Sequence, residues 1–187
     1  MSIKRWTGLC ILGLTCITAV IVVADGLSGI EWLIDKRYDV PVTTVDVAQS
    51  ELANDPGGWL VLDVREPEEY AVSHLPGAVR VPPDADVSTI QRIIGTAAPG
   101  KQVLFYCSVG QRSSKLAARV RESILEAGAT NVSNLRGGIF RWYAEHGELV
   151  NADGPVDRIH PYNALWGQLI PRENPPGQTT DDSDRPE

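Results

Sequence analysis

Val103-Leu104-Phe105-Tyr106-Cys107-Ser108-Val109-Gly110-Gln111-Arg112-Ser113 is the stretch on which the reading of this chain turns. Four apolar or aromatic residues in succession predict a buried strand, and residues 113–127 carry apolar positions at helical spacing. A strand running through a short polar loop into a helix places Cys107 at the strand's carboxyl end, the edge where open α/β sheets hold their sites. A loop that opens a helix aims several backbone N–H groups inward, and the helix dipole adds partial positive charge, so the loop suits an anion and favours a thiolate. Gly110 lets the backbone turn without a steric penalty. Arg112 offers a guanidinium fork at the rim for an oxyanion, and Ser113 is a candidate helix cap or hydrogen-bond donor to the sulfur. A nucleophile, an anion cradle and a cationic clamp thus fall within seven residues. The plainer reading, a small buried Cys107 with Gly110 as an ordinary turn residue, stays open at this local level.

Outward from the loop, strand-like runs fall at 59–64, 78–81 and Asn131–Leu135, with helix-like stretches at Val45–Asn54, 66–73, Val87–Ile94 and 140–146. Turn residues separate them, as at Asp55-Pro56-Gly57-Gly58, Pro76-Gly77, Pro99-Gly100 and Gly128. Strands alternating with helices at this spacing predict an α/β domain over residues 42–150, with a mostly parallel sheet covered on both faces.

The ends read differently. Lys4 and Arg5 precede an uncharged run at 6–24, whose 19 residues reach roughly 28 Å as a helix, close to the thickness of a bilayer core. It reads as a transmembrane anchor within residues 1–25, against the alternative of a cleaved signal peptide with Val22 and Ala24 before the cut. The Lys4 and Arg5 charges place the N-terminus in the cytoplasm and the domain on the periplasmic or extracellular side. Residues 26–41 form an amphipathic linker, with Leu27, Ile30, Trp32, Leu33 and Ile34 among charged residues, suited to an interfacial helix. Beyond the domain, residues 151–172 hold Ile159, Tyr162, Leu165, Trp166, Leu169 and Ile170 at spacings of three to four, which predicts a helix. That helix would cover the domain's own core or present a surface to a protein partner or membrane. Residues 173–187, rich in Pro, Asp and Thr, read as a disordered acidic tail.

Composition closes off several functions. Lys and Arg total 17 against 24 Asp and Glu, a net charge of −7, so no basic face is on offer for a nucleic acid. Three cysteines, two of them in the apolar N-terminal run, do not make a disulfide framework. With the three histidines scattered at His74, His146 and His160, no metal site is expected.

Four stretches together carry a resemblance. Leu62-Asp63-Val64-Arg65-Glu66-Pro67-Glu68-Glu69-Tyr70, His74-Leu75-Pro76-Gly77-Ala78, Tyr106-Cys107-Ser108-Val109-Gly110-Gln111-Arg112-Ser113 and Leu135-Arg136-Gly137-Gly138-Ile139-Phe140-Arg141-Trp142 resemble, in order, the motifs of a rhodanese (sulfurtransferase) domain. The resemblance implies a central parallel sheet of about five strands flanked by helices. It implies that Cys107 takes sulfane sulfur from a small anion such as thiosulfate, holds it as a persulfide, and passes it to a thiol or cyanide. Ser108, Val109, Gly110, Gln111 and Ser113 would line the cradle, Arg112 would orient the donor, and no cofactor or metal would be needed. Asp63 and Arg65 would support the site, as a structural ion pair or in direct contact with substrate. His74 sets a turn rather than serving as a base.

Two other classes stand beside this reading. A cysteine phosphatase or arsenate reductase would use the same thiolate, cradle and Arg, but such loops place five residues between Cys and Arg, whereas four separate Cys107 from Arg112. A non-catalytic docking or redox-sensing module would keep the fold, though inactive versions usually lose the cysteine that this chain retains.

Overall fold

The computed structural model describes residues 26–164 and 166–170. In chain order the elements are α1 (Gly26–Arg37), β1 (Val42–Thr43), α2 (Val45–Asn54), β2 (Trp59–Asp63), α3 (Pro67–Val72), β3 (Val79–Arg80), α4 (Val87–Ile94), β4 (Gln102–Tyr106), α5 (Gln111–Glu126), β5 (Asn131–Leu135), α6 (Gly138–Ala144), β6 (Val150–Asn151) and β7 (Gly154–Pro155). The first five strands form one sheet in the order β1-β5-β4-β2-β3, and every pairing in it is parallel. The α/β fold with a five-stranded parallel sheet is therefore as expected.

Alternation along the strands sorts side chains onto two faces. Leu62, Val103, Phe105 and Val132 point to one, where Ile90 and Ile94 of α4 and Leu116, Val120 and Ile124 of α5 pack on them. Val61, Leu104, Tyr106 and Leu135 point to the other, against Leu27 and Ile34 of α1, Ala48 of α2 and Ile139, Phe140 and Trp142 of α6. Burial from both sides is why β4 reads as an uninterrupted apolar run rather than an alternating one.

The segment expected to be a linker is α1, a helix docked on the domain. Leu27, Glu31 and Ile34, spaced to share one helical face, are buried. Arg141 donates to Glu31 at 2.9 Å, and Arg136 pairs with Asp35. Trp32 and Leu33, 59% and 60% exposed, face away.

The helix expected over 151–172 does not form. Among the described residues this segment begins in the β6–β7 hairpin, which a bridge between His74 and Val150 ties to the domain, and ends in a short 3-10 turn at Trp166–Leu169. Pro161 explains the failure: its ring removes an amide donor and pushes His160 away from helical angles, and Tyr162 follows with φ of 62°. The apolar residues still find cover, since Val156, Ile159, Trp166, Leu169 and Ile170 pack on the α1/α6 side of the core.

No helix among the described residues is long and apolar enough to cross a membrane. The candidate anchor at 6–24 and the acidic tail at 173–187 lie outside the described residues.

Candidate active site

β4 ends at Tyr106, and α5 starts at Gln111, two residues before its expected first residue, so only Cys107-Ser108-Val109-Gly110 joins them. The N-terminus of α5 is thereby drawn up beside the sulfur, and the Gly110 N–H donates to Cys107 Sγ at 3.2 Å. Gly110 caps the helix at φ of 97°, a left-handed conformation that a side chain would strain, and a Cβ there would also crowd Asn134 Nδ2 at 3.1 Å. Cys107 itself is a free thiol, 1% exposed.

The loop is held from outside by the start of α6. Ile139 N–H donates to the Cys107 carbonyl at 2.9 Å and Phe140 N–H to the Ser108 carbonyl at 3.0 Å. Those bonds need two backbones in contact, and Gly138, at φ of 58°, permits it, because a Cβ would collide with both carbonyl oxygens. With its carbonyls tied back, the loop turns the Gly110 amide hydrogen toward the sulfur.

Arg112 departs from expectation. Its fork does not open toward an oxyanion but closes on Glu69, Nη1 to Oε2 at 2.7 Å and Nη2 to Oε1 at 2.8 Å, in a two-pronged pair. Ser108 Oγ joins the cluster, donating to Glu69 Oε1 and accepting from Arg112 Nη2, both at 2.9 Å, so its side chain serves the ion pair rather than the sulfur. Burial alone would lower the basicity of Arg112, but the Glu69 carboxylate and the neighbouring Cys107 sulfur hold it protonated. Ser113 is neither cap nor sulfur donor: Gly110 holds the cap position, and the buried Ser113 hydroxyl has no hydrogen-bond partner among the described residues.

Glu69 is the residue that sequence reasoning missed. Its signal was the Glu66–Glu69 spacing, a reciprocal helix cap in which the Glu66 N–H donates to Glu69 Oε2 at 3.0 Å. Burial pushes the Glu69 carboxyl up, but hydrogen bonds from Arg112 and the Glu66 amide, with the Arg112 charge and Ser108, outweigh it and hold the group below its ordinary value of 4.5. A depressed carboxyl contributes stability that is present above its unfolded value and lost as pH falls through the folded one. Glu69→Gln should therefore cost about 2 kcal/mol near neutral pH, by denaturant unfolding, and flatten the loss of stability below about pH 5. Equal acid slopes for parent and variant would remove Glu69 from this role.

Asp63 and Arg65 are fully buried and bonded to each other through three contacts of 2.7–3.1 Å. Arg65 also donates to the Ser73 carbonyl at 2.6 Å, and Tyr106 donates to Asp63 at 2.6 Å. Burial and the Asp63 charge push the Tyr106 phenol well above its usual value, which keeps it a donor. The pair braces the end of β2 against the end of β4 and does not line the cavity at the sulfur. His74 stacks on Tyr70 with ring centres 3.8 Å apart and pairs with Val150 in an antiparallel bridge; the turn expected of it falls at Pro76-Gly77.

The cavity at the sulfur is small, about 120 Å³, and its walls are Cys107, Ser108, Val109, Gln111 and Arg112 with Tyr162 and Trp166 from the tail. A larger one of about 630 Å³ lies at the opposite, amino-terminal edge of the sheet, among Trp59, Lys101 and Trp142. No cysteine lines it, and it lies away from the Cys107 loop, so its size does not make it the reactive centre.

A family model for the rhodanese-like domain matches residues 44–145, more than half of the chain. The thiosulfate:glutathione sulfurtransferase of Saccharomyces cerevisiae is 36% identical over 107 residues, covering 52% of this chain and 73% of that protein. An adenylyltransferase and sulfurtransferase, UBA4 of Meyerozyma guilliermondii, is 35% identical over 89 residues; the match takes in 46% of this chain but only 20% of that longer protein. Among solved structures, the BH2092 protein of Bacillus halodurans shares the fold at a TM-score of 0.54 and 23% identity, over 70% of this chain and 90% of that one.

Proposed function

Because this chain belongs to the rhodanese-like domain family, we propose that it is a sulfurtransferase that carries sulfane sulfur on Cys107. One observation supports this most: a buried thiol at the carboxyl end of the central strand accepts an amide hydrogen bond at the mouth of α5 and lines a small cavity. The relatives named for sulfur transfer from thiosulfate lend the donor class.

In the first step the Cys107 thiolate attacks the outer sulfur of thiosulfate. The bond between the two sulfurs of the donor breaks, sulfite leaves with the electron pair, and Cys107 holds a persulfide anion. In the second, a thiolate or cyanide attacks the outer sulfur, the persulfide bond breaks, and Cys107 returns as thiolate. Neither step moves a proton once the thiolate exists, so the site needs no general base. Loop amides stabilise the negative sulfur, and Arg112, still at the cavity wall with its charge shared by Glu69, contributes field rather than an open fork. Thiosulfate treatment should add the mass of one sulfur atom to the peptide containing Cys107, read by mass spectrometry. A mass unchanged after treatment, in protein whose Cys107 still alkylates, would sink the reading.

The reading extends to a membrane tether formed by the uncharged run at 6–24, with the domain on the periplasmic or extracellular side. Supporting it, Trp32 and Leu33 are exposed on α1 directly after that run, as an interfacial helix requires. Full-length protein should pellet with membranes and leave them only in detergent. Recovery in the supernatant with a mature N-terminus at Asp25 would replace the tether with a cleaved signal peptide.

A further inference from the structure

Two aromatic side chains from beyond residue 145, where the family match ends, close over the sulfur. The Tyr162 ring centre lies 4.7 Å from Arg112 Cζ, a cation–π contact at the mouth, and Trp166 completes the wall. Tyr162 sits at φ of 62°, a conformation rarely held by an aromatic residue, and its N–H donates to His160 Nδ1 at 3.0 Å. Asn163 accepts through Oδ1 from the Trp166 N–H at 3.0 Å and through its carbonyl from the Gly167 N–H at 2.9 Å, fixing one aromatic relative to the other. Downstream, Leu169 and Ile170 are packed on the core, and a Cβ at Gly26 of α1 would lie 3.0 Å from Leu169 Cδ2. The tail thus straps the rim in place from α1.

Resting on the sulfurtransferase reading, we propose that Tyr162 and Trp166 set acceptor specificity as a size filter, passing small anionic nucleophiles such as cyanide and slowing peptide-sized thiols such as glutathione. The cavity of about 120 Å³ is well below the roughly 300–1,000 Å³ of pockets that enclose drug-sized ligands. A persulfide's outer sulfur takes up part of it, and an attacking atom must come in line with the S–S bond through what remains. A nucleophile of two atoms enters with the rim closed. A tripeptide thiol brings its backbone against Tyr162 and must break the contact with Arg112 first.

The test uses the full-length chain with thiosulfate as donor and either glutathione or cyanide as acceptor, comparing parent, Tyr162→Ala, Tyr162→Phe and Trp166→Ala. The glutathione-to-cyanide ratio of kcat/KM should rise about ten-fold in the alanine variants and stay at the parental value in Tyr162→Phe. A ratio that stays level or falls in Tyr162→Ala overturns the filter, a fall showing that the ring binds the acceptor instead. Tyr162 is 46% exposed, so its truncation leaves the core intact should Trp166→Ala fail to fold. Alkylation of Cys107 by iodoacetamide and by a fluorescein maleimide decides the same point without turnover: the bulky-to-small rate ratio should rise in Tyr162→Ala, and an unchanged ratio counts against the filter. If no form transfers sulfur, the sulfurtransferase reading falls while this second ratio still judges the rim.

Discussion

Cys107→Ser should lower thiosulfate-dependent sulfur transfer by at least about 10³-fold while leaving the fold in place. A serine hydroxyl is scarcely ionised at neutral pH and cannot form a persulfide, so both half-reactions lose their nucleophile together. The fold should tolerate the change because serine nearly matches cysteine in size, and the loop is held through its backbone by Ile139 and Phe140. Thiocyanate formation with cyanide as acceptor, read beside a thermal melt, separates the two effects. Transfer persisting near the parental rate in a folded Cys107→Ser protein would mean that the sulfur is carried elsewhere.

Asp63→Ala should be the most destabilising single change in the domain, on the order of 3–5 kcal/mol, because it leaves the Arg65 guanidinium buried without its counter-charge. Burial opposes the charge on Arg65 and Asp63 sustains it, so the cost falls on the partner left behind. Tyr106 would lose its acceptor as well, one residue from Cys107. Replacing both members with apolar residues, Asp63→Leu with Arg65→Met, should recover more than half of the loss, since no orphaned charge remains. Denaturant unfolding of the two singles and the double decides this. A double variant as unstable as the sum of the singles would show that the pair's hydrogen bonds to Ser73 and Tyr106, rather than its charge balance, carry the stability.

What the sequence disclosed follows the range of the forces involved. Strand β4, helix α5 and the Cys107 loop between them are local, and burial from both sides leaves β4 a run no alternating pattern imitates. The closing stretch at Gly137-Gly138 was also legible, though not its task of letting α6 donate to the loop. Strand β1, with two residues, is too short to leave a periodicity. The tail misled because apolar spacing of three to four says which residues are covered but not that the chain breaks at Pro161 and the left-handed Tyr162. Glu69 and Tyr162 reach Arg112 through tertiary contact, Glu69 from 43 residues away, and no spacing rule announces such a meeting. For the same reason Arg112 read as an open fork: its charge was visible, its partner was not.

The pairing of β1 with β5 bears on how the molecule comes to exist. Val42 lies opposite Asn134, and among the described residues α1 pairs its carboxylates with Arg136 and Arg141. On the ribosome, α1 and β1 emerge well before these partners, with only the early part of their apolar face, Val45, Ala48, Trp59 and Val61, to pack on. Folding of this domain is thus governed by contacts distant in sequence, the class that forms slowly because loop closure must precede its reward. α1 and β1 stay incompletely paired through most of synthesis. Seating β1 beside β5 completes that side of the sheet, so α1 and β1 are among the last of the described elements to find their place.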